Sequence, residues 1–473
     1  MKKFLYIAFL FFLVSQSVSG QRFYRVERIP VSTRGYDEIA PFPHKDGLVY
    51  LSNRQTGSFM EYKDGENRPF SDIYYVEWNG ERDWGTPKQI TSIKTNYADG
   101  PVSFANNNEL MCFSRMYISE TGDAGRRGNP NAGIFFADLN GDEWANIRAF
   151  EQNDPQYTLY SPFITPDGSS LYFAANFEDS RGGFDIYVSK KINGNWSAPQ
   201  NMGDKVNTPE DDVYPYLHSS GRLYFSSKGH DAIGGSDVWY CDKFLDEWSD
   251  AVKLPGPINS AADDYTLIMN DDYSEGFFTS KRSGGSGDIY RFYTVFPTFE
   301  LPRPIQRNRW KYRLRENSLD TIDYEIFSYE WVINDTLRLP GHEVIYAFPR
   351  PGDYELSFNV TNKVTDTVMY GVGTLFIPIR LIEQPVIVSV DTVAVNEVIN
   401  FSARDTHLPN FNIEGYYWDF GDGMKSDGIT TTHTFTFPGV YKVVLGIQER
   451  VRSRKFEPET IAVFKEITVI PAQ

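Results

Sequence analysis

The chain has 473 residues, a formal charge of −17 and two cysteines. Hydrophobic residues at 41% exclude a mainly disordered chain, and the acidic balance excludes a phosphate-reading nucleic-acid binder and simple adsorption to anionic lipid. Two thiols cannot build a disulfide framework or a four-thiolate zinc site, and 16% aromatic residues suit pleated, half-buried strands.

Residues 1–20 begin with Lys2 and Lys3, continue with an apolar run from Phe4 to Val14, and end in Ser17, Ser19 and Gly20. Those three regions predict a cleaved signal peptide, with an N-terminal membrane anchor as the alternative. The apolar run is short for a span, no cysteine stands at the cleavage site to carry lipid, and no later run of about 18 apolar residues follows. Cys112 and Cys241 therefore enter an oxidising compartment. Two separate buried thiols are expected, and a disulfide between them is the alternative.

From residue 37 to 293 one pattern repeats. Third-strand segments begin at Asp72, Gly133, Asp185, Asp237 and Asp288, spaced 61, 52, 52 and 51 residues apart. The first four lead through a tight turn to Trp84, Trp144, Trp196 and Trp248. Asn79-Gly80, Asn140-Gly141 and Asn193-Gly194 suit two-residue turns with positive φ. A second hairpin precedes each segment, as in IAPFPHKDGLVYLSNR from Ile39. Four short antiparallel strands per period of about 50 describe a propeller blade. The last repeat lacks its fourth strand, and FYRVERIP from Phe23 can supply it, which closes a ring and removes its free edges. The expectation is an all-β chain with a five-bladed β-propeller over 21–297, six blades being the alternative.

The recurring elements (an acid pair before a proline, a D-G turn, L-Y-F, G-G-x-D-I-Y and W-x-x-P) resemble the TolB-type propeller repeat, in the version common in Bacteroidota envelope proteins. The third repeat departs from it, with Thr158 and Leu159 in place of its opening acids, and the second keeps only Asp99.

Beyond residue 298 the period stops. Trp418-Asp419-Phe420-Gly421-Asp422-Gly423 and Pro438-Gly439-x-Tyr441 resemble a PKD domain, a small immunoglobulin-like β-sandwich assigned here to 382–473. Trp331, Pro351-Gly352 and Tyr354 keep part of that pattern, so 298–381 reads as a divergent copy.

The six histidines form no H-x-x-x-H pair, and neither a G-x-S-x-G elbow nor a P-loop occurs. Propeller peptidases carry a separate α/β hydrolase domain for which this chain has no room, so an enzyme is not expected. The repeated acids are the most prominent constellation. Asp37, Glu38, Asp211, Asp212, Asp263 and Asp264 precede the first strands of their repeats, with Asp99 nearby. On one rim of a channel they would hold a cation or a basic peptide by field focusing. The competing reading is that each caps its own turn. Asp72, Asp185, Asp237 and Asp288 read as repeat architecture. Asp419 and Asp422 are calcium candidates, with a plain structural turn as the other reading; no other cofactor is implied. Arg307, Arg309, Lys311, Arg313 and Arg315 give one strand a basic face. Thr321, Thr336, Thr367 and Thr392 follow Asp and precede Ile, Leu or Val, similar to the O-glycosylation motif of Bacteroidota.

Residues 298–473 hold 18 Lys and Arg against 23 Asp and Glu, so 21–297 carries −14 and a partner with a basic segment is expected. The resemblance implies a non-catalytic periplasmic scaffold beside an outer-membrane complex of type IX secretion or gliding motility. The OmpA-like domain of such proteins does not appear in this sequence. The rival expectation is a cell-surface protein that binds glycan or peptide through aromatics such as Tyr416 or Trp239.

Overall fold

The computed structural model describes residues 23–54, 70–80, 83–117, 131–244, 247–299, 302–307, 310–317, 322–450 and 458–471. The signal segment, Arg309 and Thr321 lie outside them. Among the described residues every regular element is a β-strand, and no helix is long and apolar enough to cross a membrane.

Five larger antiparallel sheets follow one another up to residue 294, with a separate two-stranded pair of Lys243–Phe244 and Glu247–Trp248. The first contains Glu38–His44, Gly47–Ser52, Asp72–Glu77 and Lys88–Gln89; the second contains Asp99–Ala105, Leu110–Tyr117, Asn131–Asn140 and Glu143–Ala149. The third is built from Leu159–Ile164, Ser170–Ala175 and Asp185–Ile192, which pairs with both Asn195–Trp196 and Gln200–Asn201. The fourth contains Asp212–Leu217, Leu223–Ser227, Asp237–Cys241 and Val252–Lys253. The fifth takes Asp264–Met269, Glu275–Ser280 and Asp288–Thr294 from its own repeat and Tyr24–Arg28 from the N-terminal side. The turn chemistry is less uniform than the sequence suggests. Positive φ at both central residues occurs at Asn193-Gly194, whereas at Asn79-Gly80 and Asn140-Gly141 only the glycine adopts it. Cys112 and Cys241 are free buried thiols in different sheets.

Each first strand carries a bulge at the same place. Ala40, Gly100, Ser161, Tyr214 and Thr266 all have positive φ, and the pairing with the second strand shifts there in every sheet. Proline follows in four cases: Pro41, Pro101, Pro162 and Pro215. The bulge turns a backbone N–H away from its own sheet, and a neighbouring sheet accepts it. Ala40 N–H donates to Thr279 Oγ1, Ser161 N–H to Ser114 Oγ and Thr266 N–H to Ser226 Oγ. The first of these joins sheet one to sheet five. Asparagines missed in the sequence tie the third strands: Asn153 bonds both backbone groups of Ile134, Asn207 those of Ile186 and Asn259 those of Val238.

Two further cores lie C-terminal. One packs Trp331, Leu356 and Phe358 beneath the sheet of Leu337–Pro340, Phe327–Ile333, Gly352–Asn362 and Thr367–Ile379. The other packs Trp418, Phe401 and Leu445 beneath a sheet led by Thr460–Ile470, Gly439–Glu449 and Ile413–Asp419. Arg303–Pro304 pairs in parallel with Thr460–Ile470, so this stretch joins the C-terminal sheet rather than the unit that follows it in sequence. The basic strand is present as Lys311–Arg315, and Glu343 partners both Arg313 and Arg315 at 3.6 Å.

Gly100 is the bulge residue without a side chain because a Cβ there would meet Leu51 Cδ2 at 2.2 Å. Gly100→Ala is expected to cost about 2–3 kcal/mol in denaturant unfolding. In a Leu51→Ala background the same change should cost at least about 1 kcal/mol less, because the clash is the coupling term.

Candidate functional site

Glu38, Asp99, Asp212 and Asp264 are the first residues of the first strands rather than residues before them, and each bonds back into the loop that precedes it. Glu38 is fully buried, where its carboxylate accepts from Thr33 N–H, the Thr33 and Ser52 hydroxyls, and Arg54 at 2.9 Å. Asp99 accepts from Thr95 N–H and hydroxyl and from Arg115 at 2.7 Å. Asp264 accepts from Ser260 N–H and hydroxyl and from Arg282 at 2.6 Å. Asp212 accepts from Thr208 N–H and hydroxyl. The preceding acids reach across to the next sheet or to a lysine. Asp37 accepts from Gly287 N–H and Asn53, Asp211 from Phe184 N–H and Lys228, and Asp263 from Lys281. Such carboxylates cap turns and seal one sheet to another. Among the described residues no three His, Cys, Asp or Glu side chains come together to hold a metal ion.

The side chains that do converge are those beyond the bulges. The first strands line one narrow central space of about 40 Å³ through Ala40–Phe42, Pro101–Val102, Ser161–Phe163, Tyr214–Tyr216 and Thr266–Ile268. Where the strands enter, Tyr160 and Tyr214 share a 2.8 Å hydroxyl contact and Tyr214 stacks on Tyr265 at 5.6 Å. Where they leave, the space widens into a funnel of about 980 Å³. Phe42, Phe104, Phe163, Tyr216, Trp78 and Phe277 give it an aromatic floor. The first-to-second-strand turns form its rim, with exposed Asp46, Asp167 and Asp271 and the single exposed cation Lys45 among its lining residues. Asn107, Asn108, Asn270 and Ser219 add uncharged donors and acceptors. His218 lines the same wall, fixed by Ser220 on Nδ1 and by the Asn270 carbonyl on Nε2. Beneath the rim His44 is buried against Phe104 at 4.2 Å, and burial pushes its pKa down to about 4, so it is neutral at pH 7. The arrangement suits an extended segment that brings apolar groups to the floor and positive charge to the rim. Only the repeating first strands hinted at it in sequence. The bulge that aims these side chains inward has no sequence signal beyond the prolines.

The two calcium candidates are used inside the turn that carries them. Asp419 Oδ1 accepts from Gly421 N–H, Asp422 Oδ1 from Met424 N–H, and Asp422 Oδ2 lies 2.8 Å from His433 Nε2. That turn also rests on the ring of sheets. A Cβ on Gly423 would stand 3.5 Å from Arg222 and 3.6 Å from Tyr273. Arg222 is held by both oxygens of Asp242 and stacks on Tyr240 at 4.1 Å. Half-buried Tyr24, which feels the Asp419 charge, has its pKa raised to about 12, loss of solvent being the main cause. Tyr417 packs against Phe296 and Phe299, and Lys425 lies over Phe296 at 4.8 Å. Tyr273 stacks on funnel-lining His218 at 4.4 Å, so the C-terminal sandwich touches the outside of the funnel wall.

Residues 382–455 match the PKD domain family. A 108-residue stretch is 32% identical to collagenase ColA of Clostridium perfringens, covering 22% of this chain and 10% of the collagenase. Among solved structures, the chain is similar to a puromycin-hydrolysing peptidase of Mycobacterium tuberculosis (TM-score 0.31, 10% identity, 80% of this chain and 45% of the peptidase). It is also similar to prolyl oligopeptidase B of Galerina marginata (TM-score 0.29, 12% identity, 81% and 49%). The chain thus spans less than half of either peptidase. The expectation that the chain is not an enzyme is corrected by these matches: peptidases stand among the structures it resembles, and that exclusion is withdrawn. At such scores they assign no activity to this chain.

Two outcomes follow from the site's construction. Arg282→Met leaves Asp264 buried without its cation and should lower unfolding stability by about 3 kcal/mol, most of it recovered when Asp264→Asn is added. Gly446→Val would place side-chain atoms on the Phe299 ring, already 2.2 Å from a Cβ at that position. It should loosen the sandwich from the ring, read as a larger maximum dimension in small-angle scattering with unchanged β circular dichroism.

Proposed function

We propose that this protein is a partner-binding scaffold of the bacterial cell envelope, built as a five-bladed β-propeller of the TolB type followed by two immunoglobulin-like sandwiches. Its five successive sheets, four of them four-stranded and the third five-stranded, the N-terminal strand added to the last of them, and the shared central space support the blade count. The signal-peptide-like start and the repeat resemblance support a periplasmic setting, beside an outer-membrane complex of secretion or motility.

The single observation that carries the binding role is the aromatic funnel with an acidic rim. The funnel ends on the narrow space of about 40 Å³ that the first strands line. It suits the end or a loop of a partner protein, with a basic group on the rim and apolar side chains on the floor. The acidity of residues 21–297 steers such a segment towards it.

A native pull-down from membranes with partner identification tests the reading. Wild-type protein should retain a membrane partner, and charge reversal of Asp46, Asp167 and Asp271 together should reduce that retention at least about tenfold. Recovery of soluble monomer alone would overturn the scaffold role. Protease treatment of intact cells tests the setting, and cleavage there would place the protein on the surface.

A further inference from the structure

The two sandwiches are built alike and closed differently. Aligned on Pro351-Gly352-x-Tyr354 and Pro438-Gly439-x-Tyr441, Gly352–Asn362 matches Gly439–Glu449, and their pairing partners Thr367–Ile379 and Thr460–Ile470 are the matching last strands. In the C-terminal sandwich two parallel partners cover the outer edge of the last strand: Arg303–Pro304 lies at Val463 and Phe464, and Thr392–Ala394 at Thr468 to Ile470. In the middle sandwich, among the described residues, no strand pairs with the outer edge of Thr367–Ile379. Arg303–Pro304 precedes Lys311–Arg315 as Thr392–Ala394 precedes Val398–Ser402, so the stretch that should close the middle sandwich closes the other one. At one end the loss is made good. The Arg380 carbonyl accepts from Trp310 Nε1 at 3.3 Å where the Ile470 carbonyl accepts from Val395 N–H, and Pro378 has no N–H where Thr468 donates to the Asp391 carbonyl. The rest of the edge stays open. Leu375 is 51% and Phe376 66% exposed, and their counterparts in the C-terminal strand are Lys465 and Glu466. Thr367–Ile379 carries no charged residue, the condition under which an open edge takes another strand.

We propose that this edge pairs with the same edge of a second copy of the chain, antiparallel, about a two-fold axis at Leu375. Asn334 bonds both the N–H and the carbonyl of Glu355 from the far side of its strand. Tyr354 and Leu356 therefore turn theirs to Ile377 and Leu375, which leaves the backbone groups of Thr374 and Phe376 facing outward. Centred on Leu375, Thr374 of each copy stands opposite Phe376 of the other, and such pairs exchange N–H···O=C bonds in both directions. The two Leu375 side chains meet on one face of the joined sheet. On the other face each Phe376 lies across from the smaller Thr374. The strand is thus its own complement, as an isologous contact requires. Charge selects the same occupant. Residues 298–381 hold 10 Lys and Arg against 11 Asp and Glu, whereas 21–297 carries −14. The middle sandwich is where two copies of an acidic chain meet with least repulsion. Straight pairing is confined between the register shift ahead of Gly373 and Pro378, so the contact is small and the dimer weak and reversible.

The test is sedimentation velocity of the whole chain between about 1 and about 200 µM, a range that spans weak association. The weight-average mass should climb from that of one chain towards that of two. Leu375→Lys sets two ammonium groups face to face in the pair and should raise the dimer dissociation constant at least about tenfold, with β circular dichroism unchanged. If that variant does not fold, Leu375→Cys serves. Under mild oxidation the facing thiols, their Cβ atoms about 5 Å apart, should give a disulfide-linked dimer, whereas Phe376→Cys, roughly 7 Å from its twin on the diagonal, should not. Cys112 and Cys241 are buried and stay out of that reaction. A purified chain that stays monomeric throughout, as it would if a different protein takes the edge, would overturn the proposal. So would a dimer indifferent to Leu375→Lys, or cross-linking at 376 in preference to 375.

Discussion

A residue in the left-handed region, once per first strand, is the constraint on which the ring of sheets depends. For Ala40, Ser161, Tyr214 and Thr266 this conformation costs roughly 1–2 kcal/mol each, so it persists only where its surroundings over-determine it. The surroundings do so across sheets. The N–H of three of these residues is turned outward and accepted by a hydroxyl from the preceding second strand. Local strain and inter-sheet bonding are therefore one event, and a sheet cannot relax its bulge without releasing its neighbour. The same bulge re-aims the side chains that follow it, which is why Phe42, Phe163 and Tyr216 meet at the axis.

Charge divides by position in the same way. The acids at the sheet starts are buried and matched by Arg54, Arg115 and Arg282, so their effect is cohesion. The acids on the funnel turns stay in water, where they shape the field a partner meets. The formal charge counts both alike, although only the second set is available to a ligand. Asp422 belongs to a third group. It lies 2.8 Å from His433 Nε2 on a turn that braces the sandwich against Arg222 and Tyr273.

Much of this was legible in the sequence, because a 50-residue period forces equivalent residues into equivalent places. The strand order, the N-terminal strand in the last sheet and the sandwich with Trp418 in its core could all be read from spacing and turn residues. The chemistry of the acids could not, since a carboxylate before a strand looks the same whether it faces a channel or caps Thr33, Thr95 or Ser260. Which it does depends on an arginine 16 to 18 residues later, a distance at which pattern alone gives no geometry. Positive φ at Tyr214 and Thr266 was likewise hidden, because neither residue type favours it. The parallel pairing of Arg303–Pro304 with Thr460–Ile470 was out of reach for another reason: partners more than 150 residues apart leave no local trace.

Leu159 stands in the third sheet where the other four have a carboxylate, buried with Ile134, Phe136 and Phe150. The other joints also have a hydrophobic cluster of their own and add the carboxylate to it. At its first strand the third sheet therefore meets its neighbour without burying an ion, and without the desolvation cost that Arg54, Arg115 and Arg282 offset elsewhere. The odd repeat shows that the packing of one sheet on the next does not itself require the charge.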